Sequence, residues 1–254
     1  MKNRMILTPF FLDQPVAGLE DLAGEDWQVN KLTLTRDETQ ERMIELYRPL
    51  AKRVKNAVES GERPVSIAGD CCGTIGVLAG LQQGSVDPTL IWFDAHGDFN
   101  TWETSPSGFL GGMPLAMLAG FGELRMGNGV GQAPLSGSKI ILTDARDMDP
   151  GEKIAVEESA VVHLPKVEML LDTPLPAGPL YVHFDTDVIN SEEAPAMSYL
   201  AEGGPPVSVL GRVFDYLASS GQVMAVSMTP WNSEMDEDGR SRMVAMGLLE
   251  RLLR

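Results

Sequence analysis

Seven short, largely apolar segments punctuate the 254-residue chain: Met5–Phe10, Pro64–Ala68, Leu90–Phe93, Lys139–Leu142, Ala160–His163, Leu180–Phe184 and Val223–Met228. Each is too short for a helix. Where the apolar run is continuous, as in Leu90–Phe93, it reads as a strand buried on both faces. Between them the spacing changes. From Asp37 to Ser60, the residues Met43, Leu46, Tyr47, Leu50, Val54 and Val58 recur three and four apart, which makes one apolar face of a helix. Further helices are predicted at Gly73–Gln83, Met113–Gly120, Gly151–Ser159, Val207–Ser219 and Arg240–Leu253. Strand and helix alternating at this interval indicate parallel crossover units, hence a three-layer α/β/α fold with a mainly parallel sheet. "TWETSPSGFLGG" and "SYLAEGGPP" read as loops within that fold. No repeat, low-complexity tract or linker divides the chain, so residues 1–254 are expected to form a single domain.

Composition changes this picture little: 43% hydrophobic and 22% charged residues suit an ordinary globular protein. The formal net charge of −16 argues against nucleic-acid or anionic-membrane partners, which require a basic face. No apolar run reaches the length of a membrane span. The opening "MKNRMILTPFF" lacks a small-residue cleavage site and reads as a first strand rather than a signal peptide. Cys71 and Cys72 are adjacent and imply no disulfide framework. A cytoplasmic location is the expectation.

The candidate chemistry lies where strands end. Open parallel sheets bind ligands beyond the carboxyl ends of their strands. Three such ends are acidic: "VSIAGDCCG" carries Asp70 and Cys71, "IWFDAHGD" carries Asp94, His96 and Asp98, and "LYVHFDTDV" carries Asp185 and Asp187. Side chains two apart on an extended chain point the same way, so these donors can converge. One Asp after a buried strand usually caps the next helix. Three such ends in one chain suit one or two hard divalent cations such as Mn²⁺ or Mg²⁺.

On these motifs the chain resembles the ureohydrolase superfamily of arginase, agmatinase and formimidoylglutamase, from about Ser66 to Pro230. "FDAHGDFN" resembles the family's Asp-Ala-His-x-Asp signature, "HFDTDVINSEEAP" its Asp-x-Asp motif, and "AGDCCGTIG" its Gly-Gly-Asp-His-Ser segment. The resemblance implies an arginase-like fold and a two-Mn²⁺ hydrolase. Asp94 and Asp185 would bridge the ions, Asp98 would bind the first, and His96 and Asp187 the second. Two cations flanking one water would lower its pKa and make it a nucleophile toward an amidine or guanidine carbon. Asp94, Asp98 and Asp185 are the catalytic candidates. The family also implies possible homo-oligomers.

Three positions depart from the family. Cys71 stands where the family has its first His ligand; it reads equally as a thiolate ligand, which favours Zn, Fe or Co over Mn, or as a small buried hydrophobe. Gly111 stands where arginase's loop supplies a proton-shuttling His. Ser227 falls where the family places a Glu that grips the guanidinium. Of the other histidines, His163 reads as core, and His183 as core or as a group backing the ligands. The far end of the pocket is better preserved. "ARDMDPGEK" is similar to an arginase segment in which Asp149, helped by Glu152, would read a substrate α-amino group. Asn100 and Ser107 fall where arginase contacts the α-carboxylate. "DMDPGE" is equally a helix start, with Asp149 as N-cap and Pro150 at the first helical position. The resemblance thus implies cleavage of a guanidino or amidino C–N bond on an arginine-like amino acid, arginine or N-hydroxyarginine. The other reading is a degenerate homologue that has lost catalysis and acts as a binding or regulatory protein. Retention of all five acidic and imidazole donors favours the enzyme, because clustered carboxylates destabilise an empty site.

Overall fold

In the computed structural model, which describes residues 1–254, strand β1 (Asn3–Thr8) leads into a small hairpin of β2 (Phe10–Phe11) and β3 (Gln14–Pro15). Then come β4 (Gln28–Val29), α1 (Thr39–Glu59), β5 (Arg63–Ala68), α2 (Gly73–Gln83) and β6 (Thr89–His96). Short helices α3 (Pro114–Leu118) and α4 (Arg125–Val130) precede β7 (Ile140–Asp147), α5 (Pro150–Glu158) and β8 (Val162–Leu164). The chain finishes with β9 (Leu180–Asp185), α6 (Val207–Ser219), β10 (Val223–Thr229) and α7 (Arg240–Leu252).

Eight strands form one sheet in the order β4-β1-β5-β10-β9-β6-β7-β8. Every pairing in it is parallel, so the predicted three-layer α/β architecture holds and the sheet is wholly rather than mainly parallel. β5 and β6 are consecutive in the sheet's chain order but not neighbours, because β9 and β10 return to fill the space between them. The strand order therefore reverses there, and a crevice opens beyond the carboxyl ends of these four strands.

Alternate residues of the central strands feed opposite cores. On β6, Leu90 and Trp92 join the cluster under α1 and α2, while Ile91 and Phe93 join the cluster under α6 and α7. Burial on both faces explains why these segments show no polar alternation in the sequence. On β9, Tyr181 lies on the α1–α2 side and Leu180, Val182 and Phe184 on the other. By the same two-residue period, His183 and Asp185 share the side of Tyr181, and Ser227 and Thr229 of β10 share that of Ala225.

Three elements are not visible in the sequence pattern, the short strand β3 among them. Helix α4 is glycine-rich ("RMGNGV"), a composition that argues for a loop, and β4 is too short to show a period. β6 and β7 also run past their apolar cores into His96 and Asp147.

Helices α1 and α2 approach closely through glycine. A Cβ at Gly80 would lie 2.5 Å from the Ala51 carbonyl oxygen and 2.6 Å from Val54 Cβ. Gly80→Ala is therefore expected to destabilise the fold by about 1–3 kcal/mol, the usual range for overpacking. Gly247→Ala on α7, where a Cβ meets nothing within 4 Å, should be neutral or mildly stabilising. Urea midpoints of the two variants check the contrast.

Candidate metal centre

The ends of β5, β6, β9 and β10 meet at one point. Asp94, 1% exposed, lies near the end of β6. Its Oδ1 accepts from the His96 backbone N–H at 2.7 Å and its Oδ2 from Trp92 Nε1 at 3.0 Å. Asp185 closes β9, accepting the Asp187 N–H on Oδ1 at 2.9 Å and facing Cys71 Sγ with Oδ2 at 2.9 Å. Asp187 reaches across to β6: Oδ1 accepts from the Ala95 N–H at 3.1 Å, and Oδ2 lies 2.9 Å from His96 Nδ1. Thr229, at the end of β10, places Oγ1 3.2 Å from Cys71 Sγ.

Two donor groups result, each with ligand atoms within 4.8 Å of one another: Cys71, Asp94, His183 and Asp185, and Asp94, His96 and Asp187. Asp94 belongs to both. Asp98 lines the same cavity from a left-handed backbone (φ 49°), and its buried Oδ2 has no hydrogen-bond partner. The convergence expected from alternating positions is therefore real, but it is reached through a register shift after Asp94 and the turn at Asp98 rather than by a straight strand.

These carboxyls are uncomfortable together. Burial, then the Asp187 charge, pushes Asp94 up to about 6. Burial followed by neighbouring Asp charges raises Asp98 and Asp185 well above the usual carboxylate range. Burial, then Asp185, likewise raises the Cys71 thiol. Burial alone would lower His96, yet its hydrogen bonds to Asp187 and Asp94 hold it up to about 12. Convergent carboxylates that repel one another, with an orphaned buried oxygen on Asp98, fit a site for divalent cations. Asp70 takes no part: its carboxylate accepts the backbone N–H groups of Leu12 and Cys72 at 2.6 and 2.8 Å and ties the N-terminal hairpin to the loop after β5.

Above these donors lies a cavity of about 680 Å³, and Asn100, Ser107, Asp149 and Glu152 all line it. Glu152 Oε1 accepts from the Phe99 N–H at 2.8 Å and Oε2 from the Asp149 N–H at 3.1 Å, so the helix-start reading of this segment holds. Asn100 Nδ2 donates to Asp149 Oδ2 at 3.0 Å. Burial, opposed by the two backbone donors, raises Glu152 to about 7.

Ser227 must be corrected as a substrate-contact residue. It is 5% exposed and does not line the cavity; Tyr181 and His183 take up its hydroxyl. Thr229, two residues on, is the β10 side chain that lines it. Gly111 does line the cavity, but a Cβ there would sit 2.5 Å from the Phe109 ring, which fills the space a larger side chain would need. Phe109 packs with Phe11 and Tyr199 in an aromatic cluster at the cavity wall. The sequence gives no sign of this cluster, whose members come from β2 and two separate loops. It also leaves His183 undecided, although the two-residue offset from Asp185 is a usable signal.

An open parallel sheet whose carboxyl edge gathers Asp, His and Cys donors defines an α/β protein of metal-centre type. Comparison with known proteins then narrows the class: residues 13–254 match the family model described as the arginase family. The chain belongs to the arginase family. It is 29% identical over 250 residues to an arginase from Bacillus subtilis, covering 92% of this chain and 84% of that protein. It is 26% identical over 193 residues to an N(omega)-hydroxy-L-arginine amidinohydrolase from Streptomyces lavendulae, covering 75% and 68%. The crystal structure of arginase from Bacillus subtilis superposes with a TM-score of 0.83 at 26% identity, covering 100% of this chain and 98% of that one.

Proposed function

We propose that the chain is a binuclear divalent-metal enzyme that cleaves the guanidino C–N bond of an arginine-like amino acid, arginine or its N-hydroxy form. By family it is a hydrolase of C–N bonds in linear amidines. The observation that carries the finer reading is Asp94, the one residue common to both donor groups, as a carboxylate joining two cation sites must be. Cys71, Asp98, Asp94 and Asp185 would hold one cation, and His96 and Asp187 with the shared Asp94 the other. Mn²⁺ is the ion the family implies. When bound, the cations supply a water of lowered pKa and polarise the guanidino carbon. The protein's own part is positional: Asp98 presents its unpartnered Oδ2 to the cation, and Asp149 with Glu152 receives the substrate's α-amino group. We further propose a single domain in the cytoplasm, where Cys71 and Cys72, both free, stay reduced.

The test is product identity. Mn²⁺-loaded protein is given L-arginine, N-hydroxy-L-arginine and agmatine, and urea, hydroxyurea and ornithine are measured. Turnover of the first two with little from agmatine, which lacks the carboxylate, supports the proposal. Metal-loaded protein inert toward all three would support the second reading, a catalytically silent binding or regulatory homologue. The observation favouring that reading is the Phe109 ring in the space beside Gly111.

A pH dependence follows from Glu152. Below about pH 7 its carboxyl is neutral and cannot offset a substrate ammonium; above that it is charged. KM for an amino-acid substrate is therefore expected to fall on the order of tenfold between about pH 6 and pH 8, the scale of one charge-assisted hydrogen bond. Glu152→Gln should flatten this dependence. KM measured across that range for both proteins checks it, and a flat wild-type profile counts against the assignment.

A further inference from the structure

We propose that His183 is a metal-binding residue. With Cys71 it makes the half of the centre between β5, β9 and β10 a soft-donor site that takes a different cation from the half formed by His96 and Asp187. This inference rests on the binuclear reading above.

His183 is 1% exposed, and its ring is held on two sides. Nδ1 lies 2.8 Å from Ser227 Oγ, which in turn lies 2.7 Å from the Tyr181 hydroxyl. The Trp92 ring sits 3.9 Å from the imidazole, centroid to centroid. With the ring proton on Nδ1 and given to Ser227 Oγ, the tautomer a cation would select, the lone pair of Nε2 faces the cluster, where Cys71 Sγ is 3.3 Å away. Metal-binding histidines are oriented in this way, by a hydrogen bond to the nitrogen that does not ligate.

In that tautomer the partner of Nε2 within the protein is the Cys71 sulfur at 3.3 Å. The Cys71 sulfur faces Asp185 Oδ2 at 2.9 Å, His183 Nε2 at 3.3 Å and Thr229 Oγ1 at 3.2 Å, of which Thr229 has a hydroxyl proton of its own to give. One thiol proton cannot serve both Asp185 and His183, and buried acceptors rarely go unpaired. A cation among Sγ, Nε2, Asp94 and Asp185 resolves the shortage, displacing the thiol proton to solvent as it binds.

The donor sets then differ in character. Thiolate plus imidazole selects Co²⁺, Zn²⁺ or Fe²⁺ over Mn²⁺, whereas one imidazole among carboxylates accepts Mn²⁺. The geometry thus points to a mixed-metal centre.

The experiment uses Co²⁺ as the probe. Metal-free full-length protein receives one equivalent of Co²⁺ in excess Mn²⁺; bound metal is counted after desalting, and thiolate-to-cobalt charge transfer and cobalt-edge X-ray absorption are recorded. The wild type is expected to hold one Co²⁺ and one Mn²⁺, with sulfur and imidazole both on cobalt. His183→Gln should lose the imidazole signal and bind Co²⁺ at least tenfold more weakly while keeping Mn²⁺. Ser227→Ala, which frees Nδ1, should weaken Co²⁺ about tenfold. His96→Ala should lose Mn²⁺ and keep Co²⁺. Cobalt in the wild type without an imidazole beside its sulfur overturns the inference and leaves the hydrolase reading standing; that result needs no variant to fold. Unchanged Co²⁺ affinity in His183→Gln overturns it likewise. A wild type that binds neither metal overturns this inference and the binuclear reading together.

Discussion

Asp94→Asn is expected to lower kcat/KM by about three orders of magnitude or more, and at the same time to raise the thermal midpoint of the metal-free protein. Both effects have one source. Asp94 is the residue shared by the two donor groups, so on the binuclear proposal losing its charge weakens both at once. Without metal that same charge is a liability, buried and facing Asp187, which is why its folded pKa rises to about 6. The sign follows from linkage. A carboxyl whose pKa is higher folded than unfolded contributes its stability below the unfolded value, near 4, and loses it as pH rises through about 6. At pH 7 the charge therefore costs the metal-free fold about 3 kcal/mol at most. Asparagine removes that cost but cannot accept from both the His96 N–H and Trp92 Nε1, which gives back about 1 kcal/mol. The net gain of about 1–2 kcal/mol amounts to a few degrees for a chain of this length. Calorimetry of metal-free wild type and variant at pH 7 and pH 4 checks it. The variant should melt higher at pH 7, and the difference should vanish or reverse at pH 4. A variant that melts lower at pH 7 would mean that the carboxylate cluster is not under charge strain.

Arg146→Met is expected to destabilise the protein by about 3–5 kcal/mol, the range for breaking a buried ion pair from one side. Arg146 looks unremarkable in the sequence, yet its guanidinium is fully engaged. It pairs with Asp144, whose side chain is 8% exposed. It also donates to four backbone carbonyls: Asp187 at 3.0 Å, Val188 at 3.2 Å, Ala201 at 3.1 Å and Glu202 at 3.0 Å. One side chain thereby fastens the loop after β9 to the end of β7, where Asp144 and Ala145 both adopt positive φ. Because Asp187 is one of the residues held, the variant should also bind metal more weakly at the His96–Asp187 half. Arg146→Lys should rescue little, since an ammonium cannot reproduce a planar fork of donors. Urea unfolding and metal titration of both variants settle the matter; a loss below about 1 kcal/mol in Arg146→Met would leave the loop anchored by something else.

Much of the site is legible in the sequence, and the legible part has a common property. Asp94 with His96, and Asp185 with Asp187, are each two apart in sequence at one strand end. Their nearness is readable without knowledge of any other strand, although a register shift and a turn set their directions. Glu152 under Asp149 is likewise a local capping arrangement. Ser227 is misassigned by sequence because its position along β10 is clear while its partners are not: its hydroxyl faces His183 and Tyr181 across the sheet, and that depends on β9 and β10 lying side by side. His183 and Arg146 are the same case. Each acquires its role from groups more than 40 residues away.

The sequence alone determined the parallel α/β architecture, because two-face burial of short strands and one-face burial of helices are written in local periodicity. It also determined that acidic donors gather beyond the strand ends. Only the tertiary structure decided the strand order, with β9 and β10 inserted between β5 and β6, and with it which donors lie close to one another. Periodicity records which side of an element is buried, but not which neighbour buries it. The meeting of Cys71 with His183, 112 residues later, is set by packing between strands whose apolar faces are chemically alike.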